Sequence, residues 1–169
     1  MREIKISYMS LILAAVIVVL VIYTLNLRAE LELGSGIQAR SEALTEAEKS
    51  NSEFIKSFFN YRSTKERYES IKELTTEHGY RSTFPSGMTL PKDISVESSS
   101  SKVKAYQGNI EENKIEYYNE FELTTKFQGI SSTELMLVKT VLKNEESRGW
   151  KIDDVQIVAS LGAADQNKG

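Results

Sequence analysis

The stretch that most constrains this chain is Ile6 to Leu27, ISYMSLILAAVIVVLVIYTLNL, 22 consecutive residues without a charged side chain. As a helix rising 1.5 Å per residue it would be about 33 Å long, enough to cross a hydrocarbon core of roughly 30 Å. Its middle is crowded with Val and Ile, whose β-branching disfavours helix slightly in water. In lipid, a helix is the one way a single segment can satisfy its own backbone polar groups. A buried core helix or strand pair is the alternative, but core segments this long normally carry a polar face. Tyr8 and Tyr23 stand near the two ends, where amphipathic rings favour the membrane interface. Arg2, Lys5 and the terminal amine precede the run, offset by Glu3, so the positive-inside rule places residues 1–5 in the cytoplasm and the chain from residue 28 onward outside the cell membrane. A cleaved signal peptide would need a shorter apolar core and a small-x-small site; Leu25-Asn26-Leu27 is a poor one and Leu33-Gly34-Ser35 only passable. The sequence therefore predicts an uncleaved signal-anchor over residues 6–27.

Of 169 residues, 142 follow Leu27, which suits one domain with its own core. Removing Arg2, Lys5 and Glu3 from totals of 21 Lys+Arg and 24 Asp+Glu leaves 19 against 23. That balance shows no basic footprint, and direct nucleic-acid binding is not expected. There is no cysteine, which removes disulfides, thiol catalysis, zinc-thiolate sites and a lipoprotein anchor. The single His78 rules out a histidine-based metal cluster. No cofactor or metal is expected.

Residues 28–40 read as a short stalk, with Gly34-Ser35-Gly36 suggesting a flexible joint or a helix break. From Ser41 a helical pattern begins, and Phe54, Ile55, Phe58 and Phe59 form a one-sided stripe, so a helix over 41–61 is expected to dock its last two turns into a core. Ser63-Thr64-Lys65-Glu66 offers a capping box for a second helix over 64–77, stopped near Gly79 as its C-cap. Residues 84–87 read as a turn and Met88 to Ser101 as a polar loop. Four strands follow: Lys102 to Gly108, Lys114 to Phe127, Glu134 to Lys143 and Gly149 to Val158. In the second, Ile115, Tyr117, Phe121, Leu123 and Phe127 share one parity, broken by Asn119 and Thr125. The third is apolar on both parities, as for a strand covered on both sides. In the fourth, the parity switch between Trp150, Ile152 and Val155, Ile157 predicts a bulge at Asp153-Asp154. Residues 160–169 read as a frayed tail. The fold class is α+β: after the transmembrane helix, two helices pack on a curved four-stranded antiparallel sheet over residues 41–159.

The aromatic-striped helix pair, the four-strand meander and the closing GW-K-I-x-x-V-x-I pattern from Gly149 to Ile157 resemble the nuclear transport factor 2-like fold. Preceded by one membrane helix and a stalk, the layout resembles the bitopic scaffold protein of type IV secretion and conjugation systems, in the short, cysteine-free form of Gram-positive conjugative elements. The resemblance implies a structural, self-associating component that contacts other channel proteins. A scaffold of another envelope machine, such as a sporulation channel, has the same signature, and fold alone does not fix function.

Enzymes also occur on this fold, and they need a carboxylate base and an acidic donor converging inside the cone-shaped pocket. The candidates are Asp153, Asp154, Tyr61, Tyr68, Tyr106, Tyr117 and Tyr118. The aspartates straddle the expected bulge and the tyrosines suit the rim of a small core, so no catalytic residue is assigned and a ligand-binding or enzymatic domain stands as the lesser alternative. His78 is read as a polar residue at a helix end. Glu111, Glu112, Glu145 and Glu146 read as solvated turn residues, and Lys102, Lys104 and Lys114 as a weak candidate for contact with wall polyanions. Glu116, Glu120 and Glu122, with Lys126, line the strand face opposite the core, and Tyr118 is the aromatic among them. Glu116, Tyr118, Glu120 and Glu122 are the candidate interaction face.

Overall fold

The aromatic stripe sets the architecture. Phe54, Ile55, Phe58 and Phe59 recur at helical spacing and are all buried, so the end of the first helix must lie on an apolar sheet. A computed structural model describes residues 8–84, 94–111 and 113–162; for residues 8–16 and 25–37 it describes the backbone alone. The expected cytoplasmic segment 1–5, the turn at 85–87, the loop through 93 and the tail from 163 lie outside the described residues. Helix α1 spans Tyr8–Phe59, α2 Thr64–Glu69 and α3 Glu77–Ser82. Strands β1 (Glu97–Ile110), β2 (Lys114–Phe127), β3 (Ile130–Glu145) and β4 (Gly149–Gly162) follow. The chain divides into two units, residues 1–44 and 45–169.

In the first unit, α1 is helical through Gly34-Ser35-Gly36, where a joint or break was expected. Glycine weakens a helix by only about 1 kcal/mol against alanine, and helix-favouring neighbours on both sides carry it through. Among the described residues, no helix is long and apolar enough to cross a membrane. Of the run Ile6 to Leu27, the side chains described are those of residues 17–24.

The second unit is an antiparallel meander, in the order β1-β2-β3-β4, with residues 45–59 of α1, and α2 and α3, on one face. On β2 the inner side chains Ile115, Tyr117, Asn119, Phe121 and Leu123 are buried in strict alternation. Met136, Val138, Thr140 and Leu142 of β3 lie beside them, and Trp150 and Ile152 of β4 complete the floor. The Phe59 and Phe121 ring centroids are 4.7 Å apart, which seats α1 on β2.

The expected second helix is broken into α2, a 3-10 turn at Lys72–Leu74, and α3. Ser63 caps α2 as its spacing implies, its Oγ accepting from Glu66 N at 3.2 Å, while the Glu66 carboxylate accepts from Arg62 N at 2.8 Å. Gly79 is not a C-cap. It is buried inside α3, where an added Cβ would sit 2.0 Å from the Ile152 carbonyl oxygen. The helix stops and restarts because Thr75 pairs with Ile152 and Thr76 N donates to Ile152 O at 2.8 Å, bonds that draw the chain onto β4.

The expected β2 matches the observed one, whereas β1, β3 and β4 are longer than their patterns suggest. The serines 98–101, expected in a loop, belong to β1. Their low intrinsic strand preference is overridden by pairing with β2 on one side and with Tyr61 on the other, through N···O distances of 3.1 and 2.8 Å. The β2–β3 turn is two residues, Gln128 (φ 50°) and Gly129 (φ 82°), the left-handed pair of a tight hairpin, so pairing begins at Phe127–Ile130. The bulge expected near Asp153-Asp154 is present, since Leu142 faces Ile152 while Val141 faces Asp154. A second one lies at Val158, and β4 pairs with β3 as far as Gly162, into the expected tail.

The double-sided cover expected for β3 is absent among the described residues. The helices cover the inner face, and on the outer side Leu137 and Val141 are half-buried and Leu135 is 40% exposed.

Candidate functional site

Strand β2 runs between β1 and β3, so its even-numbered residues form a row down the middle of the outer face. Glu116, Tyr118, Glu120 and Glu122 are all half-buried there. The register decides what meets them. Lys104 stands opposite Glu120 on β1, and its Nζ lies 3.1 Å from the carboxylate. The bulge at Lys102 and Val103 turns Lys102 into the left-handed region (φ 54°), and its Nζ lies 2.6 Å from Glu122. From β3, Lys139 Nζ lies 2.6 Å from Glu116 and 5.9 Å from the centroid of the Tyr118 ring. The hydrogen bond to Glu116 raises the Lys139 pKa above the ordinary lysine value, and the one to Glu120 does the same for Lys104. Tyr118 faces Tyr106 on β1, and its ring covers Gly108, where a Cβ would come within 3.0 Å of it.

The structure thus brings the four candidate residues together on one face, but as a ladder of ion pairs and not as a free acidic row. Lys126, expected to belong to it, stands opposite Glu97 near the end of β2 and makes no ion pair with the three glutamates. Beside the ladder, Leu135 pairs with Leu161 and Leu137 with Ala159 across β3 and β4 on the same face. Charged rungs next to an aliphatic strip suit protein–protein contact, the charges setting register and the strip supplying buried area.

The catalytic candidates do not converge. Tyr106, Tyr118 and Asp154 belong to the outer face, Tyr68 and Tyr117 to the interior, and Tyr61 to the α1–α2 connection. Asp153 serves the fold: Thr76 Oγ1 donates to its Oδ1 at 2.8 Å, while the same Oγ1 accepts from Gly79 N at 2.9 Å to cap α3. His78 lies at the start of α3, Nδ1 being 2.6 Å from the Asp153 carbonyl oxygen. Burial raises the pKa of Tyr68 and Tyr117, with Glu48 adding to the latter. Among the described residues no three acidic or imidazole side chains gather where they could hold a metal ion.

A closed triangle of side chains stands between α1 and the sheet. Asn51 Nδ2 donates to Asn119 Oδ1 (2.7 Å), Asn119 Nδ2 to Thr140 Oγ1 (3.1 Å), and Thr140 Oγ1 to Asn51 Oδ1 (2.6 Å). None of the three titrates, so the triangle orients and locks but transfers no proton at ordinary pH. Asn119 showed itself in the sequence only as a break in an apolar parity; Asn51 and Thr140 gave no sign.

A four-stranded antiparallel meander with helices on its inner face makes this an α+β domain. Residues 43–159 match the family described as the YddI NTF2-like domain. Over 113 residues the chain is 30% identical to the uncharacterized protein YddI of Bacillus subtilis (strain 168), covering 67% of each chain. The chain belongs to the YddI NTF2-like domain family. No solved structure matches it significantly.

Proposed function

We propose that this chain is a single-pass membrane protein, N-terminus in the cytoplasm, whose NTF2-like domain works outside the membrane as a structural component of a conjugative, type IV secretion-like DNA transfer channel. The observation that carries the membrane reading is the state of residues 17–23. Ile17, Val18, Val19, Leu20, Val21, Ile22 and Tyr23 follow one another in a helix and each is 50–65% exposed. Seven successive positions go around the helix nearly twice, so every face is apolar, as in a helix surrounded by hydrocarbon. Moving such side chains out of water is favourable by about 1.5–3 kcal/mol each.

The assembly reading is supported by the outer sheet face, where Glu116, Tyr118, Glu120 and Glu122 adjoin the Leu135–Leu161 strip. The interior carries a packed aromatic cluster and the non-titrating triangle, which suits a scaffold better than an enzyme. The link to conjugation rests on the likeness of the layout to known secretion scaffolds. Deleting the gene in a donor cell and measuring DNA transfer tests it: transfer should fall by orders of magnitude and return with the intact gene. Unchanged transfer would remove the conjugative role.

A further inference from the structure

At the end of the sheet away from the β1–β2 hairpin, a cleft of about 500 Å³ opens between the α1–α2 connection, the start of β1 and the β2–β3 hairpin. Its volume is in the range of small-ligand sites. It is lined by Tyr61, Arg62, Glu97, Ser98, Lys126 and Ser131, with two further hydroxyl side chains and no aliphatic one.

The charged groups of the lining are unpaired, unlike those of the ion-pair ladder. Arg62, Glu97 and Lys126 have no ion-pair partner among the described residues. The walls are also held in place. Tyr61 and Ser98 exchange two backbone hydrogen bonds, Asn60 Oδ1 accepts from Ser100 N at 2.5 Å, and the Arg67 guanidinium carbon lies 5.1 Å from the Tyr61 ring centroid. A preformed site loses less to ordering when it binds.

We propose that this cleft binds an anionic, polyhydroxylated chain: a saccharide or polyol polymer bearing carboxylate or phosphate groups. Two cations against one carboxylate give a net positive site for the anionic group, with Arg62 offering a planar fork to carboxylate or phosphate. Glu97, Ser99 and Ser131 accept from or donate to hydroxyls. The proposal is independent of the membrane anchor and of the conjugative role.

The test is titration calorimetry of the full chain in nonionic detergent with tetragalacturonate, a glycerol-phosphate oligomer and neutral maltotetraose. At least one acidic probe should bind, and maltotetraose should bind at least about tenfold more weakly, for want of the charge-assisted bonds. A stronger carboxylate arm assigns the site to an acidic sugar, and a stronger phosphate arm to a polyol phosphate. Arg62→Ala and Lys126→Ala should each weaken binding severalfold and together abolish it, while Lys114→Ala, outside the cleft, leaves it unchanged. Thermal melts of the variants should match the native chain, since neither side chain makes an ion pair within the described fold. No binding of either acidic probe, equal binding of maltotetraose, or native affinity in the double variant would overturn the proposal.

Discussion

Asn51 on α1 donates a hydrogen bond to Asn119 on β2 at 2.7 Å, and both side chains are essentially inaccessible to solvent. With Thr140 on β3 they close a polar ring inside an otherwise apolar layer. Unlike aliphatic contacts, this ring allows one register of helix on sheet, because a slip leaves buried amides unpaired. Truncating one partner leaves the others unsatisfied, so Asn51→Ala and Asn119→Ala should each destabilise the domain by about 2–3 kcal/mol. The double variant should fall well short of the sum, with a coupling of about 1 kcal/mol or more. Denaturant unfolding of the four proteins measures this; additive losses would show that the ring is not a unit.

Gly79 is where α3 comes closest to β4. The 2.0 Å separation that a methyl group would have from the Ile152 carbonyl oxygen involves backbone on both sides, so neither can turn aside. Gly79→Ala should destabilise by about 2 kcal/mol or more, although alanine is the better helix former by about 1 kcal/mol. The same change in an open helix would stabilise, so the sign of the effect on melting temperature is the readout.

Stability should fall above about pH 10. Burial raises the pKa of Tyr68, Tyr80 and Tyr117 above 10.0, and hydrogen bonds to Glu120 and Glu116 raise those of Lys104 and Lys139 above 10.5. In each case the unfolded chain releases its proton first, so it binds fewer protons than the folded chain and stability declines with rising pH. The contribution is complete below the unfolded values and is lost as pH rises through the folded ones. Urea unfolding at steps from pH 8 to 11 should show the decline, and Tyr117→Phe should make it shallower.

Leu135 is exposed on the outer face and stands opposite Glu122 and Leu161. Leu135→Lys places a cation beside that carboxylate and leaves the inner core untouched, so unfolding free energy should stay within about 1 kcal/mol of native. The same substitution should impair DNA transfer, because a charge in the middle of an aliphatic contact strip must be desolvated on assembly. Normal transfer at normal protein levels would place the contact surface elsewhere.

Much of the domain was legible because its signals are local. The stripe Phe54, Ile55, Phe58 and Phe59 marked the docking face of α1, the alternation from Ile115 to Leu123 marked β2, and the parity switch after Ile152 marked a bulge. What was missed depends on contacts between distant residues. Serines 98–101 form strand because Tyr61 and Asn60 bind them, and the second helix breaks because Thr75 and Thr76 bond to Ile152. The residues of the interaction face could be picked out by parity, but their ion pairs could not, because Lys102 reaches Glu122 only through a bulge in β1.

If the domain is held at the membrane and makes its assembly contacts through the outer face of its sheet, Leu135 lies against a neighbouring chain in the assembled state. A photo-cross-linking amino acid in place of Leu135, activated in intact donor cells, tests it most directly once the membranes are washed with alkaline carbonate. The protein should stay in the washed membrane and carry adducts to a channel protein or to a second copy. Release of the chain into the wash without adducts, from a variant whose thermal melt matches that of the native chain, would overturn this reading.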